Sequence, residues 1–434
     1  MSATVVPTSA VEVAPSGPVH ARLRAPASKS VTNRLLVIAA LAEGQSLLRG
    51  PLDSDDTRAM RHALIALGAQ VSDTPEGWRV TGTGGRPHAT PGVVIDARLS
   101  GTTLRFVTAM ATLADGPVTV TGSPPLLRRP VGALVAALGG LGADAADAGG
   151  LPPVRLGGGG LRGGLVEVDV DRSSQFASAV LLVAPCAREG VLVTAAGNGA
   201  AGYLDLTVAT MRRWGATVAQ VNDACWNIAP TSRYAARDET VEYDASAAAH
   251  LFALAAATGG AVTVVNAAAG TLQPDAGLPA VLERMGATVA RDGDALTVSG
   301  PARLEPIEVD LRAMPDQVTT VAALAALAEG TSRLHGLAVA RGHETDRLAA
   351  LASELRKLGV PVIESPDGLE ITGGFAAGPA RLATYDDHRL AMGFAAIGAR
   401  VPGVVVEEPW CVTKTYPGFW RDLRAAGVSW EIHP

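Results

Sequence analysis

Two patterns of apolar positions alternate along the chain at one spacing. The first is a helix-like run that ends in glycine and leads into a β-type segment. It occurs six times, with glycines at Gly68, Gly142, Gly215, Gly286, Gly359 and Gly427, so that successive copies are 74, 73, 71, 73 and 68 residues apart. Glycine is favoured just after a helix because the chain often turns there with a positive φ. The pattern predicts six equivalent helix ends.

The second pattern is a polar or glycine-containing cluster followed by a run that is apolar on nearly every side. The six runs lie at 28–41, 100–113, 173–184, 244–257, 315–328 and 386–399. Their first residues cap helices well, and a helix that is apolar all round must be buried. Short Val-rich segments between them are typical of β-hairpins. The sequence therefore predicts six copies of an α/β unit of about 72 residues, each with a buried helix.

The starts of these predicted helices are the expected place for ligand binding. If the buried helices run parallel in two groups of three, their N-termini converge and present unpaired N–H groups and the positive ends of the helix dipoles. The residues there are Lys29-Ser30, Gly101-Thr102, Ser173-Ser174-Gln175, Asp244, Asp316 and Asp387-His388-Arg389. Such a surface suits small ligands that carry several negative charges.

Composition narrows the class of protein. A chain of 434 residues is too long for one hydrophobic core and predicts two or three domains. Its 48 % hydrophobic residues exclude a disordered protein, and a net charge of −6 with 4 % aromatic residues argues against a nucleic-acid platform. Any anionic ligand must therefore be held by local cations. Only three lysines are present, Lys29, Lys357 and Lys414.

The cysteines and the apolar segments give no sign of an extracellular or membrane protein. Cys186, Cys225 and Cys411 lie far apart, which favours neither a disulfide framework nor a zinc site. Residues 1–17 lack the pattern of a signal peptide, and the Ala-rich stretch 247–269 is too interrupted for a membrane span. We expect a cytoplasmic protein with no membrane or nucleic-acid partner.

Several polar motifs carry more charge than helix capping requires. In PASKSVTNR (26–34), Lys29 stands at a helix start, where an acidic residue would be favoured. RGHETDR (341–347) places five charged or titratable side chains within seven residues; surface ion pairing is the alternative to a functional role, and the motif is not the zinc motif HExxH. Asp316 lies alone just ahead of an apolar helix, and N-capping of that helix is the alternative to a functional role.

One glycine motif points to a different chemistry. Gly197, Gly199 and Gly202 have the spacing of a dinucleotide-binding turn, with Asp223 about 20 residues further on. The motif lies inside the third repeat, and the other five copies have no such glycines. A nucleotide cofactor is therefore disfavoured.

Together, PASKSVTNR, SGTTLR, RRP, SSQF, PDQ, GHETDRL, DDHR and TKTYP closely resemble the 5-enolpyruvylshikimate-3-phosphate synthases, over about residues 20 to 420. The resemblance implies a two-domain inside-out α/β barrel of six βαβαββ repeats, three per domain, with buried helices. The domains would be 28–244 and a discontinuous one, 1–27 with 245–434, with the active site in the cleft between them.

The resemblance also implies a reaction. The family transfers the enolpyruvyl group of phosphoenolpyruvate to the 5-hydroxyl of shikimate 3-phosphate and releases phosphate, without metal or organic cofactor. Most members act as monomers, and we expect the same here.

Site residues carry over position by position. The shikimate 3-phosphate contacts would be Lys29, Ser30, Arg34, Ser173, Ser174, Gln175, Asp316 and His343. The phosphoenolpyruvate contacts would be Lys29, Gly101, Arg129, Gln175, Arg347, Arg389 and Lys414. Arginine forks suit this task because they bind oxyanions through two hydrogen bonds.

Addition followed by elimination needs an acid and a base that exchange roles. Asp316 would take the proton of the 5-hydroxyl, and Glu344 would protonate the enol methylene. Lys29 would give a proton to the leaving phosphate, with His388 assisting.

Three positions depart from the family's usual residues. Ala200, Val339 and His343 stand where serine, asparagine and lysine are common, which predicts weaker shikimate 3-phosphate binding but the same reaction.

Two alternatives stay open at this point. An enolpyruvyl transferase acting on UDP-N-acetylglucosamine would carry a cysteine in the stretch TGSPPLLRRP (121–130), which has none. A catalytically inactive anion-binding homologue would explain Ala200 and Val339 but not the retained acid/base pair.

Overall fold

The computed structural model describes residues 9–197, 201–229, 233–374 and 378–433. Contacts between Cα atoms divide the chain into two compact units. The N-terminal-half unit is Ala27–Glu242, and the C-terminal-half unit combines Met1–Pro26 with Tyr243–Pro434. The sequence placed these two boundaries one and two residues later, at 27/28 and 244/245. Ala200, and Gly199 of the glycine motif, lie outside the described residues.

The N-terminal-half unit contains three four-stranded sheets and six helices in its described residues. The helices are α1 (Lys29–Leu41), α2 (Asp55–Ala66), α3 (Gly101–Ala111), α4 (Gly132–Gly140), α5 (Gln175–Val183) and α6 (Gly202–Arg213). The strands are β3 (Gln45–Arg49), β4 (Gln70–Thr74), β5 (Gly77–Thr81), β6 (Val93–Asp96), β7 (Val118–Thr121), β8 (Asp144–Ala146), β9 (Val154–Gly158), β10 (Gly164–Asp169), β11 (Val191–Ala196), β12 (Val218–Asn222), β13 (Cys225–Ile228) and β14 (Glu239–Thr240). The sheet orders are β14-β3-β5-β4, β6-β7-β9-β8 and β10-β11-β13-β12.

The C-terminal-half unit repeats this organisation. Its helices are α7 (Ala245–Thr258), α8 (Leu278–Arg284), α9 (Val318–Leu327), α10 (Arg347–Lys357), α11 (His388–Gly398) and α12 (Phe419–Ala425). Its strands are β1 (Ala10–Val13), β2 (His20–Leu23), β15 (Ala261–Val264), β16 (Thr288–Asp292), β17 (Ala295–Ser299), β18 (Glu308–Asp310), β19 (Gly330–His335), β20 (Val362–Ser365), β21 (Gly368–Gly373), β22 (Ala380–Leu382), β23 (Val404–Glu407) and β24 (Trp430–His433). The sheet orders are β22-β23-β1-β24, β16-β17-β15-β2 and β18-β19-β21-β20.

Three of the sheets are built from consecutive elements in the same way. In each, a parallel pair is joined by a crossover through a buried helix, and a hairpin adds two antiparallel strands; β18, α9, β19, α10, β20 and β21 are one example. This is the βαβαββ repeat that the sequence predicts. The other three sheets have the same pattern of parallel and antiparallel pairs but take one strand from a distant part of the chain. The chain's first strands explain the discontinuous unit, because β2 pairs in parallel with β15 and β1 lies between β23 and β24.

The helices predicted to be apolar all round are the buried ones. Every residue of α3, α7 and α11 is buried, and α1, α5 and α9 are nearly as enclosed. In each unit the three buried helices pack on one another and supply the core inside the sheets. The six repeat glycines all have φ between +83° and +96°, as a turn after a helix requires.

The dinucleotide interpretation fails on sheet topology. A dinucleotide site needs a strand, the glycine turn, a helix and then a parallel strand. Here β11 is followed by α6 and the antiparallel pair β12–β13, and its only parallel neighbour among the described strands is β10, which precedes it. In the described part of the chain, no helix is long and apolar enough to cross a membrane.

Candidate active site

Side-chain caps fix where the site-bearing helices of the N-terminal-half unit begin. The hydroxyl of Ser28 accepts from the N–H of Val31, and that of Ser100 accepts from the N–H of Thr103. Lys29 and Gly101 are therefore the first residues of α1 and α3. Lys29 Nζ lies 3.4 Å from Oδ2 of the buried Asp56, which holds the ammonium group at the helix start.

Two arginines pack against the backbone of Gly101. A Cβ atom at Gly101 would lie 2.7 Å from Nη1 of Arg129 and 3.3 Å from Nη1 of Arg105. Arg105 in turn donates to Oε1 of Gln175 over 2.8 Å, which ties the start of α3 to the start of α5. Glycine at 101 therefore makes room for two cations at the positive end of a helix, which is an arrangement for binding an anion.

The SSQF motif lies at the start of α5. The Ser173 hydroxyl accepts from the N–H of Gln175 over 3.3 Å, whereas the Ser174 side chain makes no capping hydrogen bond. Ser173, Ser174 and Gln175 thus lie together at the start of α5, with Arg105 bound to Gln175.

Arg34 has a different environment from the one its predicted role suggests. It is buried, donating to Thr207 Oγ1 over 2.8 Å, to the carbonyl of Ser30 over 3.0 Å and to the carbonyl of Tyr203 over 3.3 Å. Burial lowers the pKa of Arg34 to about 10, although Tyr203 opposes the shift. In this structure Arg34 connects α1 to α6, so its guanidinium positions Ser30 and the neighbouring helices.

In the C-terminal-half unit, one arginine joins three carboxylates. The fully buried Arg347 is the first residue of α10. Its Nη1 donates to Asp316 over 2.6 Å, its Nη2 to Glu344 over 2.9 Å, and its Nε to Asp387 over 2.7 Å. The GHETDR segment is therefore part of a buried network rather than a surface cluster of ion pairs.

Asp316 is held by a second arginine as well. Arg389 Nη2 donates to its Oδ2 over 2.9 Å, which links the starts of α9 and α11. Burial alone would raise the pKa of Asp316, but Arg389 and Arg347, with His343, outweigh it and hold this pKa below its ordinary value. Asp316 does not cap α9; that cap position belongs to Gln317, whose side chain makes no capping bond.

Glu344 is the second carboxylate with two cationic partners. Lys414 Nζ lies 2.7 Å from Glu344 Oε1, while Oε2 accepts from Arg347. Lys414 ends the 3-10 turn Pro409–Lys414, and its side chain is 8 % exposed. The predicted acid, Glu344, and two predicted phosphoenolpyruvate contacts are therefore in direct contact.

The two predicted histidines lie in the same unit. His343 Nδ1 is 2.9 Å from Arg347 Nη1 and 3.3 Å from Asp316 Oδ1. His388 is the first residue of α11 and is 1 % exposed, with Nδ1 3.9 Å from Asp387 Oδ1. His343 therefore contacts Asp316 directly, whereas His388 is buried beside Asp387.

Charge is balanced within this cluster. The three cations Arg347, Arg389 and Lys414 contact the three carboxylates Asp316, Glu344 and Asp387. We call these six residues the Arg347 cluster. Among the described residues, no group of three or more His, Cys, Asp or Glu side chains is arranged to hold a metal ion.

Three residues that contact predicted site residues were assigned no role from the sequence. Asp56 pairs with Lys29, Arg105 donates to Gln175, and Asp387 accepts from Arg347. The signal for Asp387 and Arg105 was present, since both lie in motifs already singled out. Asp56 carries no such signal, because an acidic residue in the first turn of a helix is ordinary.

Comparison with known proteins identifies the family. Residues 13–423 match the family model described as EPSP synthase (3-phosphoshikimate 1-carboxyvinyltransferase). The chain belongs to the EPSP synthase family. It is 43 % identical over 419 residues to the 3-phosphoshikimate 1-carboxyvinyltransferase of Methanosphaerula palustris, covering 95 % of this chain and 98 % of that protein. The corresponding protein of Pseudomonas syringae is 38 % identical over 420 residues, covering 95 % and 96 %.

Solved structures agree with this membership. An EPSP synthase of Acinetobacter baumannii superposes with a TM-score of 0.83 at 25 % identity, covering 98 % of this chain and all of the other. The enolpyruvyl transferase NikO of Streptomyces tendae, at a TM-score of 0.78 and 18 % identity over 98 % of this chain and all of its own, shares the fold. The inside-out α/β barrel is therefore the fold of this chain.

Proposed function

We propose that this protein transfers the enolpyruvyl group of phosphoenolpyruvate to the 5-hydroxyl of shikimate 3-phosphate and releases phosphate. The observation that carries the proposal is the Arg347 cluster, in which two carboxylates suited to acid and base chemistry contact three cations suited to an anionic substrate. Membership of the family whose relatives bear this activity supports it.

The two units would divide the binding work. The contacts to shikimate 3-phosphate would be Lys29, Ser30, Ser173, Ser174, Gln175, Asp316 and His343. Arg34 would contribute by holding α1 and α6 together. Phosphoenolpyruvate would be held by Lys29, Gly101, Arg129, Gln175, Arg347, Arg389 and Lys414. Two phosphates and a carboxylate need this many donors, because each unpaired charge taken from water costs several kcal/mol, roughly.

Binding of phosphoenolpyruvate requires the Arg347 cluster to rearrange. All three nitrogens of Arg347 already donate to carboxylates, and Lys414 is bound to Glu344. An incoming phosphate or carboxylate can therefore bind Arg347 only by displacing one of these carboxylates or His343. If the substrate binds Lys414, Glu344 loses a neighbouring positive charge. Its carboxylate then binds a proton more readily. Substrate binding would in this way prepare Glu344 to act as the acid.

The chemistry then follows in two steps. Asp316 accepts the proton of the 5-hydroxyl while the oxygen forms a bond to C2 of phosphoenolpyruvate and Glu344 protonates C3, which becomes a methyl group. In the second step a proton returns from C3 to the carboxylate, the double bond reforms, and the C2–O bond to phosphate breaks. Lys29 protonates the departing phosphate oxygen, with His388 assisting. Glu344 is thus the acid in the first step and the base in the second, and the proton that Asp316 holds at the end replaces the one that Lys29 gave to phosphate.

Several finer points remain predictions. The acceptor UDP-N-acetylglucosamine is favoured by no observation on the described residues. Weaker shikimate 3-phosphate binding through His343, Val339 and Ala200, a monomeric state and a cytoplasmic location are expected from the sequence.

Substitution of single cations provides a matched test. Lys29→Met and Lys414→Met remove a proposed contact to the reacting phosphate, whereas Arg356→Met removes an exposed cation of α10 that donates to the carbonyl of Val362. Phosphate release from phosphoenolpyruvate with shikimate 3-phosphate should fall at least a hundredfold, roughly, in the first two variants and remain near that of the wild type in the third. An inactive wild-type protein, or equal activity in all four proteins, would contradict the proposal.

A further inference from the structure

The backbone just ahead of α11 has an uncommon conformation. Tyr385 and Asp386 have φ of +53° and +57°, two consecutive left-handed residues that are not glycine. They directly precede Asp387 and Arg389, which contact Arg347 and Asp316. Such a turn persists only where the surroundings hold it. The structure must therefore contain a group that stabilises this turn.

That group is the buried carboxylate of Glu354 on α10. Its side chain is 0 % exposed and receives three donors. Oε1 accepts from the hydroxyl of Tyr385 over 2.7 Å, and Oε2 accepts from the N–H of Ala383 over 2.8 Å and from Lys357 Nζ over 2.6 Å. Glu354 thus binds the turn at two points, one on the backbone and one on a side chain.

Helix α10 consequently holds the segment 383–389 at two places. Arg347, at the start of α10, holds Asp387 through Nε and Nη2. Glu354, two turns later on the same helix, holds Ala383 and Tyr385. A helix is stiff over this length, so the two attachments fix both the position and the direction in which α11 begins.

We propose that Glu354, acting through Tyr385, is a positioning residue that sets the placement of Asp387 and Arg389 in the Arg347 cluster. Its side chain touches none of the groups assigned to substrate; it acts on the backbone that carries them. The kinetic consequence rests on the proposed function above, whereas the consequence for the backbone does not.

Four variants separate the parts of this arrangement. Tyr385→Phe removes one hydrogen bond and leaves the ring, and Glu354→Ala removes all three. Glu354→Gln is the conservative variant, since its amide keeps an oxygen for Ala383 and an N–H₂ group for Tyr385. Arg356→Met is the control, because it removes an exposed side chain of α10 that donates to the carbonyl of Val362 and leaves all three partners of Glu354 in place.

The expected kinetic result is a selective loss at one substrate. For Tyr385→Phe, KM for phosphoenolpyruvate should rise on the order of tenfold while KM for shikimate 3-phosphate changes less than about twofold, because Arg389 is assigned to the former. Glu354→Ala should show a larger rise, Glu354→Gln a smaller one, and Arg356→Met no change. A purely structural role would lower Tm in Tyr385→Phe and leave both KM values of the folded enzyme unchanged.

A second readout needs no activity. Amide hydrogen exchange at Ala383 and the start of α11 should accelerate about tenfold in Tyr385→Phe and more in Glu354→Ala, and remain unchanged in Arg356→Met. Unchanged exchange together with unchanged KM values would overturn the positioning role. The wild-type protein could lack transferase activity while the variants still show faster amide exchange. That result would refute the proposed function alone, because Glu354 would still hold the backbone ahead of α11.

Discussion

Nη1 of Arg347 donates to Oδ1 of Asp316 over 2.6 Å, and the arginine that does so is entirely buried. A buried guanidinium is tolerated only when its charge and its donors are matched, and Asp316, Glu344 and Asp387 supply that match. The proposed base is therefore oriented by the same group that orients the proposed acid. The Arg347 cluster is a single unit, and its members should be sensitive to one another.

Arg347→Lys should damage both stability and activity. Lysine cannot provide the planar fork that binds three carboxylates, so the fully buried Asp387 loses its partner. We expect a loss of about 3–5 kcal/mol in the free energy of unfolding and a fall of at least a hundredfold, roughly, in kcat/KM. Urea denaturation and steady-state kinetics measure the two effects.

Arg303→Lys is the control for this variant. Arg303 is 75 % exposed and binds the exposed Glu329 at the surface. It should change stability by less than about 1 kcal/mol. An equal effect of the two substitutions would contradict a special role for the Arg347 cluster.

Asp316→Asn and Glu344→Gln should lower kcat more than they raise either KM. The amides keep the shape of the carboxylates but transfer no proton, and a positioned acid or base contributes about 10²–10⁴-fold in rate. Steady-state kinetics with both substrates varied separates the constants. Glu364→Gln, which alters the surface pair with Arg341, serves as the control. Near-normal turnover in Asp316→Asn would remove this residue from the proton transfer.

Gly101→Ala should weaken the binding of phosphoenolpyruvate. The new Cβ would lie 2.7 Å from Nη1 of Arg129 and 3.0 Å from its Cζ, so the guanidinium must move away. KM for phosphoenolpyruvate should rise about tenfold or more, with little change for shikimate 3-phosphate. Gly139→Ala, in α4 with open space around its Cβ, controls for the effect of alanine on a helix. Equal KM values in both variants would count against the assignment of Arg129.

His250→Gln should flatten the loss of stability in acid. His250 is buried in α7 with Nδ1 3.3 Å from Thr320 Oγ1. Burial, with Arg389 and Arg347 adding to it, lowers the pKa of His250 from 6.5 to about 3. Between these two values the unfolded chain binds a proton that the folded protein does not, so stability falls as the pH drops from about 6.5 towards 3.

The size of the pKa shift of His250 limits its effect on the free energy of unfolding. His250 can account for up to ~5 kcal/mol across that interval. Urea unfolding at several pH values should show a shallower slope in His250→Gln, and an unchanged slope in His62→Gln, whose side chain is exposed on α2. A His250→Gln variant with the wild-type slope would show that the acid response originates elsewhere.

Much of the fold could be predicted because its signals are local. A glycine that takes φ near +90° after a helix, and a helix start such as Ser28 or Ser100 with its own cap, are fixed by nearby residues. The repeat of these signals is enough to count the units.

The interior of the site could not be predicted in the same way. Nothing near Arg347 in the sequence says that it is buried or that Asp316, 31 residues earlier, and Asp387, 40 residues later, bind it. Likewise, nothing near Arg34 in the sequence indicates that it binds Thr207 and Tyr203 of α6. Which charged side chain becomes buried depends on tertiary packing, which the sequence pattern does not specify.

The acceptor specificity of phosphate release tests the account most directly. The purified protein would receive phosphoenolpyruvate with shikimate 3-phosphate, with UDP-N-acetylglucosamine, or with no acceptor, and released phosphate would be measured alongside the mass of the acceptor. The account predicts phosphate release only with shikimate 3-phosphate, matched by one enolpyruvyl group added to it. Release with the sugar nucleotide, or with neither acceptor, would contradict the proposed function.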